Sequence, residues 1–157
     1  MNIGIVTIND NNNFGNRLQN YALQYYIQKI NSNFNVVTLK NDDFSNTKNH
    51  FILRVIKNLL RDTSTYSKNT KKYYKELKEF FKNNSKKYCA IWVNVCSLAN
   101  IDYLIYAKKY CINTRIIHSH NSKNMEYSMV RRIMHIINRC IINKYANTFW
   151  ACSKEAG

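Results

Sequence analysis

Residues Thr114 to Asn121 read TRIIHSHN. Ile116 and Ile117 form the apolar, β-branched centre of a short strand pattern, and His118 and His120 follow at its C-terminal lip. Open α/β sheets keep their chemistry at that end of the strands. No other stretch of the chain combines proton-transferring side chains with a backbone setting that would aim them into a crevice.

Outward from this stretch, strand and helix patterns alternate. Ala90 to Val95 (AIWVNV) and a helix over Ile101 to Tyr110 precede it. A long helix over about Met125 to Tyr145 and the strand Thr148 to Cys152 (TFWAC) follow it. Nearer the start, Ile3 to Ile8 (IGIVTI) predicts a strand, Asn9 to Asn16 a polar loop, and Arg17 to Ile30 a helix with Leu18, Ala22, Tyr25, Tyr26 and Ile30 at helical spacing. Asn35 to Leu39 (NVVTL) predicts the second strand, and Phe51 to Leu60 a further helix. The polar segment Arg61 to Asn69 reads as a linker.

Such alternation implies a parallel sheet covered on both faces, and right-handed crossovers restrict it to a doubly wound arrangement. The expectation is one α/β, Rossmann-like domain over the 157 residues, with about five strands in the order 2-1-3-4-5. In that order the first and third strands are neighbours at the switch point. The loops Asn9 to Asn16 and Cys96 to Asn100 then flank one crevice, which His118 and His120 approach from the next strand.

The formal charge of +15 raises nucleic acid or an anionic membrane as a partner. The densest basic run, Lys68 to Lys87, surrounds an apolar stripe of Tyr73, Leu77, Phe80 and Phe81, as in a helix with one face inward and a solvated basic face outward. No zinc-finger spacing, RNP-like aromatic run or GXXG loop accompanies it, so no nucleic acid partner is expected. The five cysteines, Cys89, Cys96, Cys111, Cys140 and Cys152, lack C-x-x-C spacing and read as small buried apolar residues in a reducing compartment. With no secretion signal and no run of roughly 18 apolar residues, the chain is expected to be cytoplasmic, with the inner membrane face as its peripheral site. The HxH spacing of His118 and His120 is that of metal ligands, but no Asp, Glu or third His stands nearby in sequence, and no metal is expected. The helix from Met125 to Tyr145 has two readings. It is either a core helix whose arginines reach water, or a basic amphipathic surface that rests on anionic lipid.

Two segments carry resemblances. AIWVNVCSLANIDYLIYAKKYCINTRIIHSHNSKNM, with the later YANTFWACSKEAG, resembles the N-terminal domain of family 4 bacterial glycosyltransferases of capsule and exopolysaccharide assembly, over about residues 80–157. That resemblance implies half of a GT-B architecture and transfer of a sugar from a nucleotide-sugar donor to a lipid-linked or polysaccharide acceptor, without metal. It implies a reaction-centre histidine at His120, with His118 second; Asn121 beside them and Ser97 in the loop after the third strand are read as substrate-binding from their place at the crevice. IGIVTINDNNNFGNRLQNYALQ resembles the start of polysaccharide pyruvyl transferases, over about residues 1–40. In this part the Asn-rich loop with Asn9, Asn13, Gly15, Asn16 and Arg17 offers amides and one positive charge at a helix N-terminus, a setting that binds phosphate or sugar hydroxyls.

Together these imply a hybrid: a pyruvyl-transferase-like start (1–45), a helical joining region (46–80) and a glycosyltransferase-like part (81–157). The donor-binding domain is expected to be absent from this chain, to be supplied by a separate domain or chain, and turnover by the isolated chain is not expected. The alternatives are a pyruvyl transferase remnant and a noncatalytic basic domain that binds lipid headgroups or a protein.

Overall fold

The computed structural model describes residues 1–7, 14–40, 64–120 and 129–154. Five strands, β1 (Asn2–Thr7), β2 (Asn35–Lys40), β3 (Tyr88–Val95), β4 (Thr114–Ser119) and β5 (Thr148–Ala151), form one parallel sheet in the order β2-β1-β3-β4-β5. This is the order that the alternation predicts. Four helices are described: α1 (Phe14–Ile30), α2 (Ser64–Asn84), α3 (Asp102–Lys109) and α4 (Met129–Ile141). The predicted helix over Phe51 to Leu60 lies outside the described residues, as do Asn9 to Asn13 and Asn121.

Strand alternation sends successive side chains to opposite faces, and the two faces differ in kind. On one face Val6, Ile91, Val93 and Ile117 pack with Tyr73, Leu77 and Phe81 of α2, with Leu104 and Ala107 of α3, and with Ile142 after α4. Phe81 is fully buried, its ring 6.1 Å from Tyr103 and 6.0 Å from Tyr106. The apolar stripe of α2 faces inward as its spacing predicts, while Lys71, Lys72, Lys75, Lys78 and Lys82 are exposed. The opposite face holds a smaller cluster of Ile5, Trp92 and Ile116 under Leu23 and Ile27 of α1.

Helix α1 uses its apolar residues differently from the expectation, and α4 departs from the core-helix reading, one of its two. In α1 the inward residues are Leu23, Ile27 and the buried Asn20, whereas Leu18, Ala22, Tyr25, Tyr26 and Ile30 are exposed. The helix also starts at Phe14, so Gly15, Asn16 and Arg17 belong to its first turn. The first N–H groups of a helix need no partner within it, so Gly and Asn are tolerated there. In α4, Met129, Ile133, Ile136 and Ile137 are exposed, while Asn138 is buried. The cysteines also depart from expectation: Cys96, Cys111, Cys140 and Cys152 are exposed and Cys89 is half-buried, because they occupy turns, strand ends and the outer face of α4.

The N-terminal ends of β4 and β5 are tied together, which fixes how the far ends meet. Asn147 Oδ1 accepts from the Arg115 backbone N–H at 2.8 Å, and Asn147 Nδ2 donates to Asn113 O at 2.6 Å. The Arg115 guanidinium donates to Tyr145 O and to Ile112 O, both at 2.6 Å. Before β4, α3 ends with paired bonds from Ile112 N–H to Ala107 O (2.9 Å) and from Cys111 N–H to Lys108 O (3.1 Å), with Cys111 in the left-handed region (φ 61°).

Stability should rest on the α2/α3 face. Phe81→Ala is expected to cost about 3–5 kcal/mol in urea unfolding, whereas Ile30→Ala, on the outer face of α1, should change stability by less than about 0.5 kcal/mol. Equal losses would contradict this division.

Candidate functional site

The parallel register carries the site. Asn94 pairs with His118, and His118 pairs with Trp150. Beyond the strands, His120 N–H donates to Val95 O and Cys152 N–H to Ser119 O, both at 3.1 Å, so the alignment continues past the sheet edge. Trp92, Asn94, Ile116, His118 and His120 all alternate onto the α1 face.

Asn94 Oδ1 is the centre of this cluster. The Trp92 indole N–H donates to it at 3.1 Å, His118 Nδ1 lies 3.1 Å away, and His120 Nε2 lies 3.2 Å away. An indole N–H is only a donor, so the Asn94 atom facing it is the carbonyl oxygen. That oxygen can only accept. The arrangement favours a hydrogen on each histidine nitrogen that faces it, which is the Nδ1–H tautomer of neutral His118 and the Nε2–H tautomer of neutral His120.

The remaining lone pairs, on His118 Nε2 and His120 Nδ1, both face Cys152 Sγ, at 3.5 Å and 3.1 Å. Gln19 Nε2 of α1 also lies 3.4 Å from His120 Nδ1. The two imidazoles are 4.3 Å apart between ring centres, and Trp92 stands edge-on to Trp150 at 4.4 Å beside them.

Burial holds both histidines below the ordinary imidazole pKa of 6.5, and for His118 the neighbouring His120 adds to the shift. The unfolded chain then binds more protons than the folded one as pH falls below about 6.5, so acidification through that window must destabilise the fold.

The other expected site residues go elsewhere or lie outside the described residues. Ser97 Oγ is 3.4 Å from His135 Nδ1 of α4 and accepts from Ala99 N–H at 3.2 Å. Leu98 N–H donates to the same His135 nitrogen at 3.0 Å, and Asn138 Nδ2 donates to Leu98 O at 2.6 Å. Ser97 thus belongs to a clamp that fixes the loop after β3 to α4, and it does not join the histidines. Arg17 is exposed on the first turn of α1, with Gly15 and Asn16 in the same turn.

Asn94, Gln19, Cys152 and His135 are the residues that sequence reasoning passed over. Asn94 had a visible signal, a lone amide within the apolar run AIWVNV. Cys152 had none in local spacing, since 32 residues separate it from His120.

The arrangement defines a class: a Rossmann-like α/β unit with a polar His, His, Cys and Asn cluster at the C-terminal edge of its sheet. No protein-family model and no curated protein matches the chain. Among the described residues no helix is long and apolar enough to cross a membrane.

The histidine pair should be visible in acid unfolding. Lowering the pH from about 7.5 to about 5.5 is expected to lower the urea midpoint, and replacing both His118 and His120 with Gln should flatten that slope. A slope unchanged by the double replacement would show that the pair is not held neutral by the fold.

Proposed function

We propose that this chain is the acceptor-side half of a GT-B glycosyltransferase of cell-surface polysaccharide assembly, with His120 as its site histidine. The observation that supports this reading is a juxtaposition. The phrases HSHN and ACSKEAG, which carry the resemblance, meet in space where Cys152 Sγ lies 3.1 Å from His120 Nδ1. With its Nε2–H committed to Asn94, neutral His120 keeps a lone pair on Nδ1. That lone pair can accept a hydrogen bond from an acceptor hydroxyl and orient the oxygen for attack on a donor sugar held by a separate domain or chain.

A second reading has its own support. Gln19 belongs to the FGNRLQNYALQ phrase and reaches His120, so the pyruvyl-transferase-like start borders the same cluster. In that reading the donor is phosphoenolpyruvate, and the acceptor is again a glycan.

An anionic membrane fits as the place where a lipid-linked acceptor would be met. Met129, Ile133, Ile136 and Ile137 form an exposed stripe on α4, and the exposed Arg132 and Arg139 flank it. An outward apolar stripe edged by arginines is the pattern of a helix that rests on anionic lipid.

Calorimetric titration of the purified chain with acceptor glycans, nucleotide sugars and phosphoenolpyruvate, alongside sedimentation with anionic and neutral vesicles, tests the reading. Glycan binding is expected, weakened at least about tenfold in His120→Ala, a loss of about 1.4 kcal/mol. Sedimentation with anionic vesicles at low salt is expected as well. Binding of phosphoenolpyruvate would favour the pyruvyl transferase, and absence of all glycan binding would overturn both transferase readings in favour of a noncatalytic basic domain.

A further inference from the structure

The Asn94 oxygen aims two imidazole lone pairs at one thiol. A neutral thiol has a single hydrogen and can satisfy only one of them, leaving the other to the Gln19 amide N–H, 3.4 Å from His120 Nδ1. A cation bound by a thiolate and two neutral imidazoles satisfies all three donors at once.

We propose that His118 Nε2, His120 Nδ1 and Cys152 Sγ bind one thiophilic divalent cation of the zinc type. The three ligand atoms lie within 4.8 Å of one another. A tetrahedral zinc with Zn–N of about 2.0–2.1 Å and Zn–S of about 2.3 Å holds its nitrogen and sulfur ligands about 3.6 Å apart. The sulfur-to-nitrogen distances are 3.5 Å and 3.1 Å, close to that spacing.

The surroundings are those of a metal site. Ligating histidines are oriented by an acceptor on the other ring nitrogen, and here one carbonyl oxygen, Asn94 Oδ1, serves both rings. Trp92 fixes that oxygen in turn. Two imidazoles and one thiolate select zinc, cobalt or copper over the oxygen-seeking magnesium and calcium. The three ligands found among the described residues leave one tetrahedral position for a further ligand, water or a substrate oxygen. The inference does not depend on sugar transfer, and a bound ion would take the His120 Nδ1 lone pair that the transferase reading gives to an acceptor hydroxyl.

The test is titration of the reduced full chain with Co²⁺, an optical substitute for zinc. The expected result is saturation at one equivalent, with thiolate-to-cobalt charge-transfer absorption in the near ultraviolet, tetrahedral bands in the visible, and displacement of both by Zn²⁺. Cys152→Ser should abolish the charge-transfer band, Asn94→Ala should weaken binding about 10- to 100-fold, and Cys140→Ser should change neither. In the unaltered chain, Zn²⁺ should protect Cys152 but not Cys140 from iodoacetamide, as read by peptide mass mapping; this arm stands even where a variant fails to fold. No stoichiometric cobalt spectrum, a spectrum that survives Cys152→Ser, or equal alkylation of the two cysteines would each overturn the site. Glycan binding without metal binding would overturn this site and leave the transferase reading intact, and the reverse result would do the opposite.

Discussion

The parallel register of β3, β4 and β5 is the constraint on which the site depends. It sets Asn94 beside His118 and His118 beside Trp150. A slip of one residue in β4 would turn both histidines onto the face packed by Val93, Ile117 and Phe81, where they would meet apolar side chains. Arg115 and Asn147 oppose a slip of β4 against β5 from the other end of the strands, through the Arg115 guanidinium on Tyr145 O and the Asn147 side chain on Arg115 N–H and Asn113 O. Side-chain ties to the backbone at one end of the sheet thus help hold the chemistry at the other.

The two faces divide the work. The face under α2 and α3 is apolar and aromatic, and its burial carries stability. The α1 face has a much smaller apolar cluster, and toward the C-terminal edge it becomes polar. Partly buried imidazoles cost desolvation unless their hydrogens find acceptors. Asn94 meets that need for both rings with one oxygen, which leaves the opposite nitrogens free to face Cys152.

The sheet was legible in the sequence because each strand is a short β-branched run and helical segments separate them. The right-handed crossover rule then left little freedom in their order. The stripe of α2 was legible for the same reason: its aromatic residues recur at helical spacing against a background of lysine. Helix α1 was not, and α4 was left with two readings, because periodicity shows that apolar residues share a face without showing what that face meets. In α1 the inward contact falls to Leu23 and Ile27, and in α4 Asn138 and His135 hold the loop after β3 while the isoleucines point outward. His118 and His120 were recognisable from their place at a strand end. Cys152 was not, since its nearness to them comes from the pairing of β5 with β4, a long-range fact that local spacing does not encode.

One amide oxygen, Asn94 Oδ1, sets the tautomers of both histidines. Long-range ¹H–¹⁵N correlation spectra of the imidazole nitrogens, recorded near neutral pH on chain stripped of metal, test it most directly. His118 is expected to be protonated on Nδ1 and His120 on Nε2, with Asn94→Ala releasing His118 toward the Nε2–H form. Finding His118 as the Nε2–H tautomer in the unaltered chain would contradict it.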